Sequence, residues 1–577
     1  MRKILTTYFF FFSALLIISS IVMERDIISM QTVRLKKLVI PEEDQKDHSL
    51  VLIIPSYNCS DLTKKTLDSI FSQSYQNFRV VYIDDGSSDL TNTIASEYAK
   101  ELNDKRLVIK HFSERKGTVE RLYEEVQNLS NDEIVIYMKG NAWLDDLDAL
   151  QKIHHYYKNY DVWFAYTQHI NYRTKEVGSE SPWCIKNALR RKSFEKPRLK
   201  TFYAGLFKRV KLMDFFFEEK FVSDHQGEAY ILPLMEMAAD HTAFISEPLC
   251  AYIQRSIYNE DRPSQQSSKM CLHHVRSQPS YKQLFNHPAL TEPQTEALAD
   301  IVIFSYNRPL QLFALLESIH RYVKSYDHIN VIYRASNARY EKAYRDLIKA
   351  FPNANFDKQK KEADDFNGLL EDATFNSPSE YVLFSHDDII IKESFDLKNC
   401  IDAMKEASSY FFSLRLGKNI SYSYREGFNQ NVPYHIQHAE DVIGWQADST
   451  KGSWAKSHSI DMSLYRKKVI EKAFKKIHFK DPFDLEQKWA EYHAKKNHVG
   501  LAFSSSKAIG LPLKTKTKDS TSFYTTAELL VEFEKGRKMN IDPIYGINNP
   551  SIYMDYQPLF VDRKESSYKN PLIVSDL

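Results

Sequence analysis

The chain of 577 residues is too long for one ordinary domain and requires at least two. Its 77 Lys and Arg balance 76 Asp and Glu with no long basic stripe, which argues against nucleic acid as a partner, and 43% apolar residues exclude a disordered chain. Five cysteines (Cys59, Cys184, Cys250, Cys271, Cys400) are odd in number, far apart and without a CxxC pair, so neither a zinc site nor a disulfide framework is expected.

Residues 4–23 carry no charge and as a helix would just cross a bilayer. The stretch ends without a clear small-x-small cleavage site, so a single-pass membrane anchor over 1–23 is favoured over a cleaved signal peptide. Basic residues flank both sides and leave the side of the membrane open. Residues 24–47 form a polar stem.

The first domain is expected over 48–255. It opens on the apolar run SLVLIIPSYN, a buried strand by length and β-branched content. A helical pattern follows, with Leu62, Thr66, Leu67, Ile70 and Phe71 on one face and Ser60 or Asp61 as cap. The strand FRVVYI then stops at Asp84-Asp85-Gly86. Strand, helix and strand at this spacing make a βαβ unit and hence a parallel α/β sheet. Further on, the strand EIVIYM runs into Lys139-Gly140-Asn141-Ala142-Trp143-Leu144, and a later segment presents Asp224, Glu228 and Glu236.

A weakly patterned stretch, 256–297, reads as a linker or a short helical connection. The second domain, 298–577, repeats the opening of the first. Placing Ser56-Tyr57-Asn58 on Ser305-Tyr306-Asn307 also aligns Leu67 with Leu316, Ser69 with Ser318 and Ile70 with Ile319, without a gap. This reads as a duplicated domain type. Here the second strand, INVIYRASN, carries Arg334 and Ser336 in place of the acidic pair, and EYVLFSHDDIII brings Asp387 and Asp388 out of an apolar strand.

PSYN followed by VVYIDDGSSD resembles the family 2 glycosyltransferases, which have the GT-A fold. The resemblance implies two tandem GT-A domains, a nucleotide-sugar donor, and a glycan or lipid-linked acceptor. It implies that Pro55, Tyr57, Asp84 and Asp85 contact the base and ribose, with Tyr306 and Arg334 in the corresponding places of the second domain. The family's Asp-x-Asp, which holds a divalent metal (Mn²⁺ or Mg²⁺), is replaced by Lys139 and Asn141 in the first domain. Either Lys139 itself neutralises a diphosphate or this domain has lost catalysis. In the second domain Asp387 and Asp388 stand at the metal landmark, with His386 as a ligand if neutral. Asp224 and Glu228 are the candidates for the acceptor-side carboxylate of the first domain, and Glu236, two turns from Glu228 on the same helical pattern, could equally be a solvated residue. Asp461 and Glu486 are the candidate general bases of the second. Each acidic residue also has a plain reading as a turn or helix cap. The rival to an enzyme is a catalytically degenerate scaffold that binds glycan or nucleotide.

Overall fold

The computed structural model describes residues 48–178, 190, 197–222, 227–254, 265–284, 286–289, 298–360, 365–424, 426–447, 452–454, 459–493, 498–512 and 524–563. The expected membrane anchor, the stem and Asp224 lie outside the described residues. Among the described residues no helix is long and apolar enough to cross a membrane. The chain divides into two compact units, Met1–Val210 with Val222–Glu292, and Lys211–Phe221 with Pro293–Leu577.

The first unit contains β1 (Leu50–Ser56), α1 (Ser60–Phe71), β2 (Phe78–Asp85), β3 (Leu107–Phe112), α2 (Thr118–Gln127), β4 (Ile134–Tyr137), β5 (Ala142–Leu144), β6 (Phe164–Asn171), β7 (Lys200–Tyr203), α3 (Glu228–Ala238) and β8 (Thr242–Tyr252). Their sheet order is β3-β2-β1-β4-β7-β6-β8-β5. The first four strands are parallel, β7 is antiparallel to β4 and β6, and β8 runs parallel to β6. Every residue of β1 is buried, which is why it reads as an unbroken apolar run. Helix α1 buries Leu62, Thr63, Thr66, Leu67 and Ile70. It starts at Ser60, so neither Ser60 nor Asp61 caps it; Asp89 and Thr91 instead accept from the Ser60 and Cys59 N–H groups. The stretch expected as a linker contains a helix, Gln265–Ser277.

The second unit contains β9 (Ala299–Tyr306), α4 (Pro309–Tyr322), β10 (Tyr326–Arg334), β11 (Ala354–Lys358), β12 (Tyr381–His386), β13 (Ile389–Ile391), β14 (Phe411–Ser413), β15 (Val442–Ala447), β16 (Ser463–Arg466), α5 (Pro482–His493), β17 (His498–Phe503) and β18 (Ala508–Gly510). The sheet order is β11-β10-β9-β12-β16-β14-β17-β15, with a further strand, Ile436–Ala439, on β15. Four parallel strands again lead, the fifth is antiparallel to both its neighbours, and the sixth and seventh run parallel. The core packs Trp445, Trp454 and Trp489, all fully buried.

The matched residues of the two openings serve the same local purpose in each unit. Asn58 and Asn307 both have positive φ, 50° and 56°, a conformation asparagine tolerates better than most residues. Each side-chain carbonyl accepts an N–H from the loop after the second strand, Ser88 or Ser336, at 2.9 Å. Ser69 and Ser318 each accept a backbone N–H from the last residue of the short strand beyond the fourth, Leu144 at 3.1 Å and Ile391 at 3.1 Å.

Replacing Ser318 strands the buried Ile391 N–H without removing any core volume. Ser318→Ala is expected to destabilise the chain by about 1–3 kcal/mol in urea unfolding and to speed amide exchange at Ile391. Unchanged exchange at that amide would contradict the pin.

Candidate active site

A cavity of about 780 Å³ opens in the second unit beyond the carboxyl ends of β9, β10 and β12. In parallel sheets this edge is where ligands bind, because the crossovers leave it lined by loops. Tyr306, Arg334, Asp387, Asp388, Asp461 and Glu486 all line it. Six of the residues singled out in the second half of the sequence, and His386 with them, are thus brought to one place by β9, β10, the end of β12, the approach to β16, and α5, while Ser336 does not line the cavity.

The wall is organised round Asp461, which is 4% exposed. Its Oδ2 accepts from the Arg415 guanidinium at 2.8 Å, and its Oδ1 accepts from the His386 backbone N–H at 3.0 Å and faces His386 Nδ1 at 3.3 Å. Burial would raise the Asp461 pKa, but Arg415 and then His386 outweigh it and hold the carboxyl at about 2. Burial likewise lowers the His386 pKa, and the Asp461 carboxylate overrides it to raise the group to about 9. The Asp461 carboxylate thus favours the imidazolium form of His386. Arg415 also donates to Ser459 Oγ at 2.6 Å, and Ser459 in turn donates to Glu486 Oε1 at 2.6 Å. Glu486 Oε2 accepts from the Ile460 N–H at 2.9 Å.

Arg415 was not singled out in the sequence. Its signal is an arginine inside an otherwise apolar run, FFSLRL, since arginine is seldom buried unless paired. Arg308 is the second such residue. It stands immediately after Asn307, where the aligned first opening has Cys59. Its Nη1 lies 2.9 Å from Asp387 Oδ1 and 3.8 Å from Asp388 Oδ2. Burial raises the Asp387 pKa, with Arg308 opposing.

The other oxygen of Asp387, Oδ2, is buried and makes no hydrogen bond. A carboxylate oxygen left open in this way fits a divalent cation, which Asp387 and Asp388 would hold. A different trio, Asp300, Asp327 and His328, also has its ligand atoms within 4.8 Å of one another. It sits at the amino-terminal ends of β9 and β10, away from the cavity edge, and the Lys467 ammonium already bonds Asp300 at 2.6 Å. That cluster is explained as an ion-pair network.

In the first unit the expected nucleotide contacts are used internally. Asp84 is fully buried, with His111 Nδ1 2.7 Å from its Oδ2 and the Ser87 N–H on its Oδ1. Asp85 takes the Arg121 guanidinium at 2.7 Å and the N–H groups of Lys116 and Gly117, at the start of α2. Pro55 is buried within β1. Tyr57 carries the Arg115 guanidinium 3.9 Å above its ring, as Tyr306 carries Arg334 at 4.0 Å. A smaller cavity of about 170 Å³ is lined by Lys139 and Asn141 and by none of these four residues. Glu228 pairs with Arg276 and the half-buried Glu236 with Arg190, so both acids serve ion pairs.

The family model for glycosyl transferase family 2 matches residues 51–216. The bifunctional glycosyltransferase pgtA of Dictyostelium discoideum is 31% identical over 183 residues, covering 29% of this chain and 23% of that protein. The glycosyltransferase GlyA of Streptococcus pneumoniae is 29% identical over 99 residues, covering 17% of this chain and 14% of that protein. This chain thus spans less than a quarter of the length of either relative. Among solved structures, S. aureus TarS 1–349 in complex with UDP-GlcNAc is similar at 16% identity and a TM-score of 0.31, covering 39% of this chain and 65% of that one.

The depressed Asp461 pKa makes an acid-limb prediction. Its contribution to stability is complete above the ordinary carboxylate value of about 3.9 and is lost as pH falls through about 2. Asp461→Asn leaves Arg415 and His386 facing a neutral group. The variant is expected to lose about 3–5 kcal/mol at pH 7 in urea unfolding. Its stability should also fall less steeply than that of the natural chain between about pH 4 and pH 2. Parallel curves over that window would remove Asp461 from the account.

Proposed function

We propose that this chain, whose first unit contains a family 2 glycosyltransferase domain, transfers a sugar from a nucleotide-sugar donor to a glycan or lipid-linked acceptor, with the second unit carrying the reaction. The observation that carries this reading is the gathering of Asp387, Asp388, Asp461 and Glu486 around one cavity beyond the carboxyl ends of parallel strands. In this reading both units are GT-A domains, and their common strand order supports it. The first unit binds and does not catalyse, because its Asp85 is closed off by Arg121 and its metal landmark is Lys139 and Asn141. Residues 4–23 tether the units to a membrane.

The base of the donor stacks at Tyr306, whose ring already supports Arg334. A divalent cation held by Asp387 and Asp388 would supply Lewis acidity for the diphosphate. Arg308, beside the same carboxylates, adds a fixed positive charge where the leaving group collects its electrons. The acceptor hydroxyl gives its proton to a carboxylate as its oxygen bonds to the anomeric carbon. The bond from that carbon to the diphosphate oxygen breaks, and its electron pair leaves with the nucleoside diphosphate. Glu486 suits the proton-accepting role better than Asp461. A carboxylate held at about 2 by two cations is a weak base, and Asp461 instead fixes the charge of the wall.

Incubating the full chain with a panel of sugar nucleotides and Mn²⁺ should release free nucleoside diphosphate from at least one donor. Glu486→Gln is expected to lower kcat by about 10²–10⁴-fold. Silence across the panel, with and without Mn²⁺, would favour the degenerate binding scaffold.

A further inference from the structure

Helix α5 has two dissimilar flanks. Leu485 and Trp489 are fully buried, and His493 continues that stripe at four-residue spacing. Phe483 and Glu486, three residues apart, are neighbours on the other flank, one turn from each other. Both line the 780 Å³ cavity. Phe483 is 70% exposed, more than any other large apolar side chain among the described residues. Phe411, Trp445 and Tyr465 of this unit are taken into the core, whereas Tyr306, which also lines the cavity, is 47% exposed. Phe483 therefore keeps an apolar face in water at the edge of the cavity.

The same lining includes charged side chains: Lys480 and Asp481 come just before Pro482 and Phe483 on the chain, and Glu426 comes from another segment. An aromatic face beside charged hydrogen-bonding groups matches a pyranose ring. One face of such a ring presents C–H groups to the aromatic, and its edge presents hydroxyls to the charges. An acyl chain would cover the same ring while stripping water from Lys480, Asp481 and Glu426 with nothing in exchange.

Building on the transfer reading above, we propose that Phe483 is the platform on which a sugar ring of the acceptor stacks, and that the acceptor is a glycan recognised through its rings. The same helix carries platform and base, so their separation is set by backbone geometry. Glu486 is further fixed by Ser459 Oγ and the Ile460 N–H. A ring seated on Phe483 thereby presents a hydroxyl to the carboxylate that takes its proton. Phe483 is a specificity-determining residue in this account, since the surface it offers discriminates between ring and chain.

The test reads binding without turnover. Saturation-transfer NMR on the full chain uses tetrasaccharides built of glucose, galactose or mannose, with decyl phosphate as the acyl-type probe. At least one tetrasaccharide should receive saturation on its ring C–H protons. Phe483→Ala should weaken that tetrasaccharide about tenfold with an unchanged melting temperature, and Phe483→Tyr should restore it. The proposal is overturned by no tetrasaccharide binding, by equal affinity of the natural chain and Phe483→Ala, or by saturation confined to decyl phosphate. Failure of the transfer reading would look different: no donor releases nucleoside diphosphate, whatever the tetrasaccharides do.

Discussion

A carboxylate that is nearly without solvent and yet ionised must be surrounded by compensating charge, and Asp461 is such a group. Arg415 and His386 supply that charge from two other segments, and Ser459 passes the hydrogen bonding on to Glu486 in a helix further along the chain. Four stretches far apart in sequence are thereby fixed at one wall of the cavity. Loss of any one partner leaves a buried charge or dipole unmatched, so the wall is held as a set. Such a set presents a fixed field of charge to whatever occupies the cavity.

The two units solve the same folding problem and then diverge at their polar edges. Each has four parallel strands, an antiparallel fifth, and the same asparagine and serine pins. In the first unit the acidic groups of the strand edge satisfy the protein itself. Asp85 binds backbone at the start of a helix and pairs with Arg121, and Asp84 meets His111. In the second unit the corresponding edge opens into the large cavity, where Asp387 keeps one buried oxygen without a partner. A shared scaffold thus supports a closed edge in one unit and an open one in the other.

Much of this was legible along the chain. The apolar run into Ser56 and the matching run into Ser305 announced buried parallel strands. The unbroken register from Asn58 to Ile70 and from Asn307 to Ile319 announced a common strand–helix opening. Tyr306 and Arg334 end apolar strands and Asp387 and Asp388 come just after one, so their place at the cavity edge was a local signal. The helix start at Ser60 was misplaced because its cap comes from Asp89 and Thr91, a loop and a strand away.

The sequence by itself determined the alternation of strands and helices, the repeat, and which polar residues leave the strands at one edge. Hydrophobic periodicity is written in adjacent residues, so no distant partner is needed to recognise it. The tertiary structure alone decided how the charges are used. Asp85 is spent on Arg121, 36 residues on, while Asp461 is held by Arg415, 46 residues before it, and Asp387 by Arg308, 79 residues before it. Whether an acid is a pin, a ligand or a base depends on which opposite charge the folded chain sets beside it and how much water is left there. Neither quantity exists until the segments have packed.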